Sequence, residues 1–98
     1  MVRFAPLMEI ALENVRVGMV RETYGAVLAH VQTLHATEEG VRNAMKVIAS
    51  EESEHAALSV AVDAFLRTLL DSEECARLDA AKRAEVPRLR AELAQDPP

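Results

Sequence analysis

Apolar residues recur at every third or fourth position along most of the chain, and this spacing predicts three helices. They should span about residues 6–36, 38–70 and 72–93. Pro6 fits the first turn of a helix, whereas Pro87 removes a helical hydrogen bond and predicts a bend or interruption in the third helix. We therefore expect an all-α protein in which the first two helices form an antiparallel hairpin.

Two short stretches separate the predicted helices. In the first, HATEEGVR, Thr37 can cap the second helix, and the charges of Glu38 and Glu39 suit its N-terminal end. In the second, DSEE, Asp71 can cap the third helix while Glu74 occupies the reciprocal position of a capping box. Both stretches are typical of tight connections between helices.

Composition narrows the classes of protein to be considered. The 98 residues, half of them apolar, suffice for one small domain, residues 1–98. A formal net charge of −5 with scattered basic residues argues against a nucleic-acid partner. No apolar run reaches the ~18 residues that span a bilayer, so no membrane partner is expected. A single cysteine cannot form an intrachain disulfide, so the expected compartment is the reducing cytoplasm or an enclosure within it.

The stretch IASEESEHAAL places acids and a histidine inside the apolar second helix. On a helical wheel, His55 lies at the centre of the apolar stripe, with Glu51 and Glu52 on either side of it. Glu54 points the other way and is expected to be solvated. A histidine in such a stripe can also be a packed core residue without a metal. The stripe consists of Val41, Ala44, Ile48, His55, Ser59, Val62, Leu66 and Leu69.

Glu22 occupies the matching place on the first helix. Fifteen residues separate it from Thr37 and fifteen separate Thr37 from Glu52, so the two acids should stand at nearly the same height. Gly18 and Gly25 lie one turn to each side and allow a close approach. The alternative is close packing at a seam of small residues, which needs no metal. The same stripe contains Met8, Ala11, Val15 and Ala29.

A carboxylate on one helix and a Glu-x-x-His on the next are half of the ligand set of a di-iron or di-manganese four-helix bundle. Glu22, Glu52 and His55 supply that half. Two chains related by a two-fold axis would bring six ligands together, with Glu22 or Glu52 bridging the metals. Burying three ionisable groups per chain without a charge partner would cost several kcal/mol each.

VRVGMVRETYGAV and IASEESEHAALS resemble the third and fourth helices of longer members of the ferritin-like superfamily, which includes ferritins, bacterioferritins and rubrerythrins. The resemblance covers about residues 11–70 and puts Glu22 in the place of the single helical ligand and Glu52 and His55 in the place of the Glu-x-x-His ligands. The half-length arrangement is similar to the encapsulated ferritins, in which the ferroxidase site forms between two chains. The first two helices of a full bundle are absent from this sequence.

The resemblance implies a homodimer or larger homo-oligomer that completes a four-helix bundle, binds two irons between chains and oxidises Fe(II) with oxygen or peroxide. Glu22, Glu52 and His55 would be its metal-binding and catalytic residues, with manganese or zinc as substitutes for iron. Iron storage or detoxification and an encapsulating shell protein as partner are further implications. The alternatives are a metal-free helical interaction module and a piece of a larger ferritin-like protein.

Other residues are assigned structural roles. Tyr24 lies on the far side of the first helix and is expected to pack or to contact another subunit; the alternative is a radical or supporting role at the metal site of a neighbouring bundle. His30 and His35 lie two or more turns from the proposed site, and Glu13 falls on the opposite face. Cys75 is expected to pack as a small apolar residue. The back of the first helix is apolar as well, so a dimer is the expected minimum; it carries Val17, Val20, Val27, Val31 and Leu34.

Overall fold

The structure, a computed structural model, describes residues 6–95, and this part of the chain is helical without strands. The first helix covers residues 7–35, the second Glu39–Arg67 and the third Ser72–Gln95. The all-α prediction is therefore confirmed, with helix ends that shift by up to three residues. None of the described helices is both long and apolar enough to cross a membrane.

The first helix is continuous but not uniform. Its α-helical ends, Leu7–Glu13 and Glu22–His35, are joined by a π-helical part, Asn14–Arg21. The sequence pattern predicts an uninterrupted α-helix here, and this detail of the prediction is wrong. The π-helical part packs against both the second and the third helix.

The first and second helices are antiparallel. Asn14, near the start of the first helix, hydrogen-bonds the main-chain carbonyl of Ser59, whereas His30, near its end, lies beside Ser53. The heights along the two helices therefore run in opposite directions, as predicted from the turn between them.

The connection between these helices differs in detail from the prediction. The N-cap of the second helix is Glu38 rather than Thr37, and no side-chain hydrogen bond caps it within residues 6–95. The chain is extended at Ala36 and at Glu38, which moves the helix start beyond the threonine. Arg42 instead reaches back and donates two hydrogen bonds to the Ala36 carbonyl, at 3.2 and 2.8 Å.

The predicted capping box of the third helix is present. The Glu74 N–H donates to Asp71 Oδ1 at 2.7 Å, and the Asp71 N–H donates to Glu74 Oε1 at 3.0 Å. The predicted interruption at Pro87 is not found, because the helix continues to Gln95. Arg21 pairs with Glu85 and with Glu92, so the turns on both sides of the proline are attached to the first helix.

The core lies where the three helices meet. Its buried members come from every helix: Ala11, Val15, Leu66 and Leu78. Towards the connection between the first two helices, the buried residues are small: Ala26, Ala29 and Ala49. This end of the hairpin is therefore an alanine seam with little apolar volume.

The predicted stripe of the second helix is only partly buried. Ser59 and Leu66 are buried as expected, whereas Val41 and Ile48 are exposed and Ala49 is buried in their place. The third helix does not extend over this end of the hairpin, so the larger side chains have nothing to pack against within the described chain. The back of the first helix is mostly exposed: Leu34 is 81% exposed, whereas Val20 is half-buried beside Lys82 and Val86 of the third helix.

The first two helices approach each other closely at Gly18. A Cβ atom at this position would meet the Ser59 hydroxyl and would lie 2.8 Å from Ser59 Cβ and 2.9 Å from Asn14 Oδ1. The packing therefore supports the interpretation that Gly18 belongs to a seam of small residues between closely packed helices.

We expect Gly18→Ala to destabilise the fold. Overpacking of about 1–3 kcal/mol should exceed the gain of about 1 kcal/mol from replacing glycine in a helix. Gly25→Ala is the matched control, because its Cβ would lie at 3.4 Å from the nearest atom, Glu52 Oε2. Thermal denaturation followed by circular dichroism compares the two, and equal midpoints would contradict the role assigned to Gly18.

Candidate metal centre

Three side chains from two helices converge in the middle of the hairpin. Glu22 begins the last α-helical part of the first helix, directly after the π-helical part. Glu52 and His55 lie three residues apart on the second helix, so they share one face. One carboxylate oxygen from each acid and one ring nitrogen of His55 all lie within 4.8 Å of one another. The structure therefore brings together the three residues that the sequence singles out.

The group is half-buried and open on one side. The Glu22 side chain is 29% exposed and Glu52 is half-buried, whereas the His55 side chain is 60% exposed. The expectation that all three groups are buried is thus not met within one chain. The exposed imidazole lies on a face of the hairpin that no other described helix covers.

One oxygen of the group lacks a hydrogen-bond donor. Glu22 Oε2 is buried and has no hydrogen-bond partner among the described residues, and its nearest cationic candidate, His55 Nδ1, is 3.7 Å away. A buried carboxylate oxygen without a donor is costly unless a proton or a cation compensates it. The geometry therefore favours a positively charged occupant.

The ligand set fits a first-row transition metal. Two carboxylates and an imidazole suit iron or manganese and can also bind zinc. With bonds near 2.1 Å, opposite ligands of one metal lie about 4.2 Å apart. The observed spread of up to 4.8 Å closes with small rotations of the side chains.

The proximity of the two acids changes the protonation of Glu52. A hydrogen bond with the Glu22 carboxylate raises the pKa of Glu52, and partial desolvation and the charges of Glu22 and Glu51 act in the same direction, while His55 opposes them. A proton shared between the two acids would account for this shift in the metal-free protein.

The raised pKa of Glu52 predicts how stability depends on pH. The folded state holds this proton more tightly than the unfolded state, so the stabilisation is present at low pH and is lost as the pH rises through the folded-state pKa. Thermal midpoints of the metal-free parent and of Glu52→Gln should be measured from about pH 4 to pH 7. As the pH rises, the midpoint of the parent should fall relative to that of the variant. Parallel curves would contradict the shared proton.

Gly25 lies beside the same acids. A Cβ atom there would be 3.4 Å from Glu52 Oε2 and 3.9 Å from its Cδ, which is ordinary van der Waals contact. The two glycines that flank Glu22 thus differ. Gly18 is required by the helix packing, whereas an alanine would fit at Gly25.

The other candidates do not join the group within the described part of the chain. Glu13 and Glu54 are exposed, and His30 Nε2 lies 3.4 Å from the Ser53 hydroxyl. His35 lines a cavity at the connected end of the hairpin. Cys75 is partly buried, with its Sγ 3.8 Å from a main-chain carbonyl of the second helix.

Sequence reasoning missed the contacts at the two ends of the π-helical part that precedes Glu22. Asn14 Nδ2 donates to the Ser59 carbonyl at 2.9 Å, and Arg21 donates to Glu85 and Glu92. A polar asparagine among valines and an arginine directly before Glu22 are the available signals, but their partners are 45 to 71 residues away.

Comparison with protein-family models, with curated proteins and with solved structures finds no match to this chain. The functional argument therefore depends on the three convergent side chains and on the surfaces around them.

Proposed function

We propose that the protein is a ferritin-like di-iron or di-manganese carboxylate protein whose metal centre forms between two chains and oxidises Fe(II) with oxygen or peroxide. The observation that carries the proposal is the convergence of Glu22, Glu52 and His55 around a buried carboxylate oxygen without a donor. Two other buried carboxylate oxygens without a donor, Asp63 Oδ1 and Glu85 Oε1, belong to residues that are paired with arginines, so the missing donor supports the proposal through its coincidence with the convergence of the three side chains.

A second copy of the chain is the proposed source of the remaining ligands. One chain supplies three ligands, and the two-fold related set in a di-metal bundle contains six. Val41 and Ile48, on the same stripe as His55, are exposed and would form an apolar margin against the second copy. A dimer built on this face would cover both the imidazole and the margin.

Each residue has a role in the proposed reaction. Glu22 and Glu52 bind the metal ions and stabilise Fe(III) more than Fe(II), because attraction by carboxylates grows with the charge of the ion. His55 supplies a neutral nitrogen ligand. Two Fe(II) ions lose one electron each, and oxygen accepts two electrons and two protons to give hydrogen peroxide. When peroxide is the oxidant, the same electrons and protons give two water molecules.

The physiological task that fits this chemistry is iron storage or detoxification. A reducing compartment, either the cytoplasm or the interior of a protein shell, would supply iron as Fe(II). A shell protein is accordingly the proposed hetero-partner, beside further copies of this chain.

Anaerobic titration with Fe(II) tests the proposal. We expect saturable binding near one iron per chain, two per dimer, followed by rapid oxidation when oxygen or peroxide is admitted. Mn(II) and Zn(II) should compete for the same site. An assembled, folded protein that binds none of these ions would instead support a metal-free helical interaction module, in which Gly18 serves only the packing of the first helix against Ser59.

A further inference from the structure

The π-helical part of the first helix ends at the residue before Glu22. The Glu22 N–H donates to the Val17 carbonyl five residues earlier, which is the π-helical pattern. Glu22 therefore lies at the junction of the π-helical and α-helical windings, and its main-chain N–H belongs to the π-helical hydrogen-bond pattern. Such segments often occur at functional sites.

Contacts with the other helices hold both ends of this segment. At the start, Asn14 Nδ2 donates to the Ser59 carbonyl of the second helix at 2.9 Å. At the end, Arg21 Nε donates to Glu85 Oε2 at 2.8 Å, and its two terminal nitrogens donate to Glu92 at 2.8 and 2.9 Å. Arg21 thus faces the third helix while Glu22, the next residue, faces the second.

Because Glu85 is buried, its carboxylate needs a charged partner, and Arg21 provides it. Glu85 is only 3% exposed, and Arg21 Nε is the donor that satisfies one of its oxygens. Arg88, at 3.5 Å from the other oxygen, is too distant for a good hydrogen bond. A buried carboxylate of this kind requires its guanidinium partner, so the position of Arg21 is fixed.

We infer that Arg21 is a positioning residue for Glu22. Its ion pairs with the third helix fix the end of the π-helical segment and thereby aim the Glu22 carboxylate at Glu52 and His55. The third helix acts on the metal centre without contacting it. The expected effect on metal affinity rests on the proposed function. The orientation of Glu22 can be measured independently of it.

The test removes the ion pair without leaving a buried charge. Arg21→Met alone would leave buried Glu85 with only Arg88, 3.5 Å away, and would destabilise the fold, whereas the double variant Arg21→Met/Glu85→Met replaces a buried pair by apolar side chains, a change that is often neutral for stability. The matched control is Arg67→Met/Asp63→Met, which also removes an ion pair with a 2.8 Å contact, at a site two turns beyond His55.

Orientation is measured by thiol bridging. In a background of Glu22→Cys, His55→Cys and Cys75→Ser, dibromobimane becomes fluorescent when it bridges the two thiols. We expect Arg21→Met/Glu85→Met to slow bridging strongly and the control pair to leave it unchanged. Equal rates in the parent background and the Arg21→Met/Glu85→Met variant, or equal slowing by the control, would overturn the inference.

Affinity is measured in the chain that keeps Glu22 and His55, by Mn(II) titration with detection of free Mn(II). We expect Arg21→Met/Glu85→Met to bind about 10–100-fold more weakly, with unchanged helicity, and the control to bind like the parent. Unchanged affinity in the first variant would overturn the inference. A parent protein that binds no Mn(II) or Fe(II) would overturn the proposed function instead, and thiol bridging would then decide the inference alone.

Discussion

His55→Ala and Glu22→Ala should each abolish rapid Fe(II) oxidation, because both residues belong to the proposed metal centre. In the proposed two-fold related centre, each substitution removes two of six ligands, so the loss of affinity should reach or exceed the ~10–100-fold that removal of an outer partner costs. Stopped-flow absorbance after mixing with Fe(II) and oxygen measures the oxidation rate, and equilibrium titration measures binding.

The two variants should remain folded. His55 is mostly exposed and its contact with Glu22 is long, at 3.7 Å, so little stability is lost with either side chain. Glu54→Ala and Glu13→Ala are the controls, because both acids are exposed and lie outside the group. Circular dichroism should show similar helicity in all four variants. Full oxidation by either single-ligand variant would show that the ligand assignment is wrong.

The convergence of Glu22 and Glu52 could be predicted because the residues between each acid and the turn are regularly helical. From Glu22 to the turn, the first helix is α-helical, and so is the second helix from its start to Glu52. The π-helical part lies on the other side of Glu22 and leaves this count unchanged. Equal spacing from the turn therefore predicts the convergence of the two carboxylates, and in the structure Glu52 lies beside Gly25 while His55 lies beside Glu22.

The winding of residues 14–21 could not be predicted from local pattern. It is accompanied by a hydrogen bond from Asn14 to a carbonyl 45 residues later, and by ion pairs from Arg21 to acids 64 and 71 residues later. Helical periodicity contains no information about such distant partners. The capping box at Asp71 and Glu74 is the opposite case, since both partners lie within one turn and the prediction was confirmed.

The burial of the second-helix stripe depends on neighbours that one chain does not supply. Ser59 and Leu66 are buried against the first and third helices, whereas Val41 and Ile48 extend beyond the reach of the third helix. The apolar pattern of a sequence indicates which side chains are buried in the final assembly, not which are buried within one chain. The exposed part of the stripe is therefore the part that the proposed second copy would cover.

Metal binding and assembly should depend on each other. In the proposed dimer without metal, up to four carboxylates face one another across the two-fold axis. Their repulsion opposes association unless some of them bind protons, as the raised pKa of Glu52 indicates within one chain. Divalent cations would replace that repulsion by attraction, so they should bind the assembled state more tightly than the monomer.

Fe(II), Mn(II) or Zn(II) should therefore raise both the dimer fraction and the thermal midpoint. At a metal concentration one hundred times the Kd, one site adds about 2.7 kcal/mol, which corresponds to an increase on the order of 10 °C for a domain of this size. Glu52→Ala should remove most of this response. The metal-free variant should also associate at least as tightly as the metal-free parent, because it lacks two of the opposing carboxylates. Sedimentation of both proteins with and without metal measures the coupling, and a parent association constant that metal leaves unchanged would mean that Glu22, Glu52 and His55 do not meet across an interface.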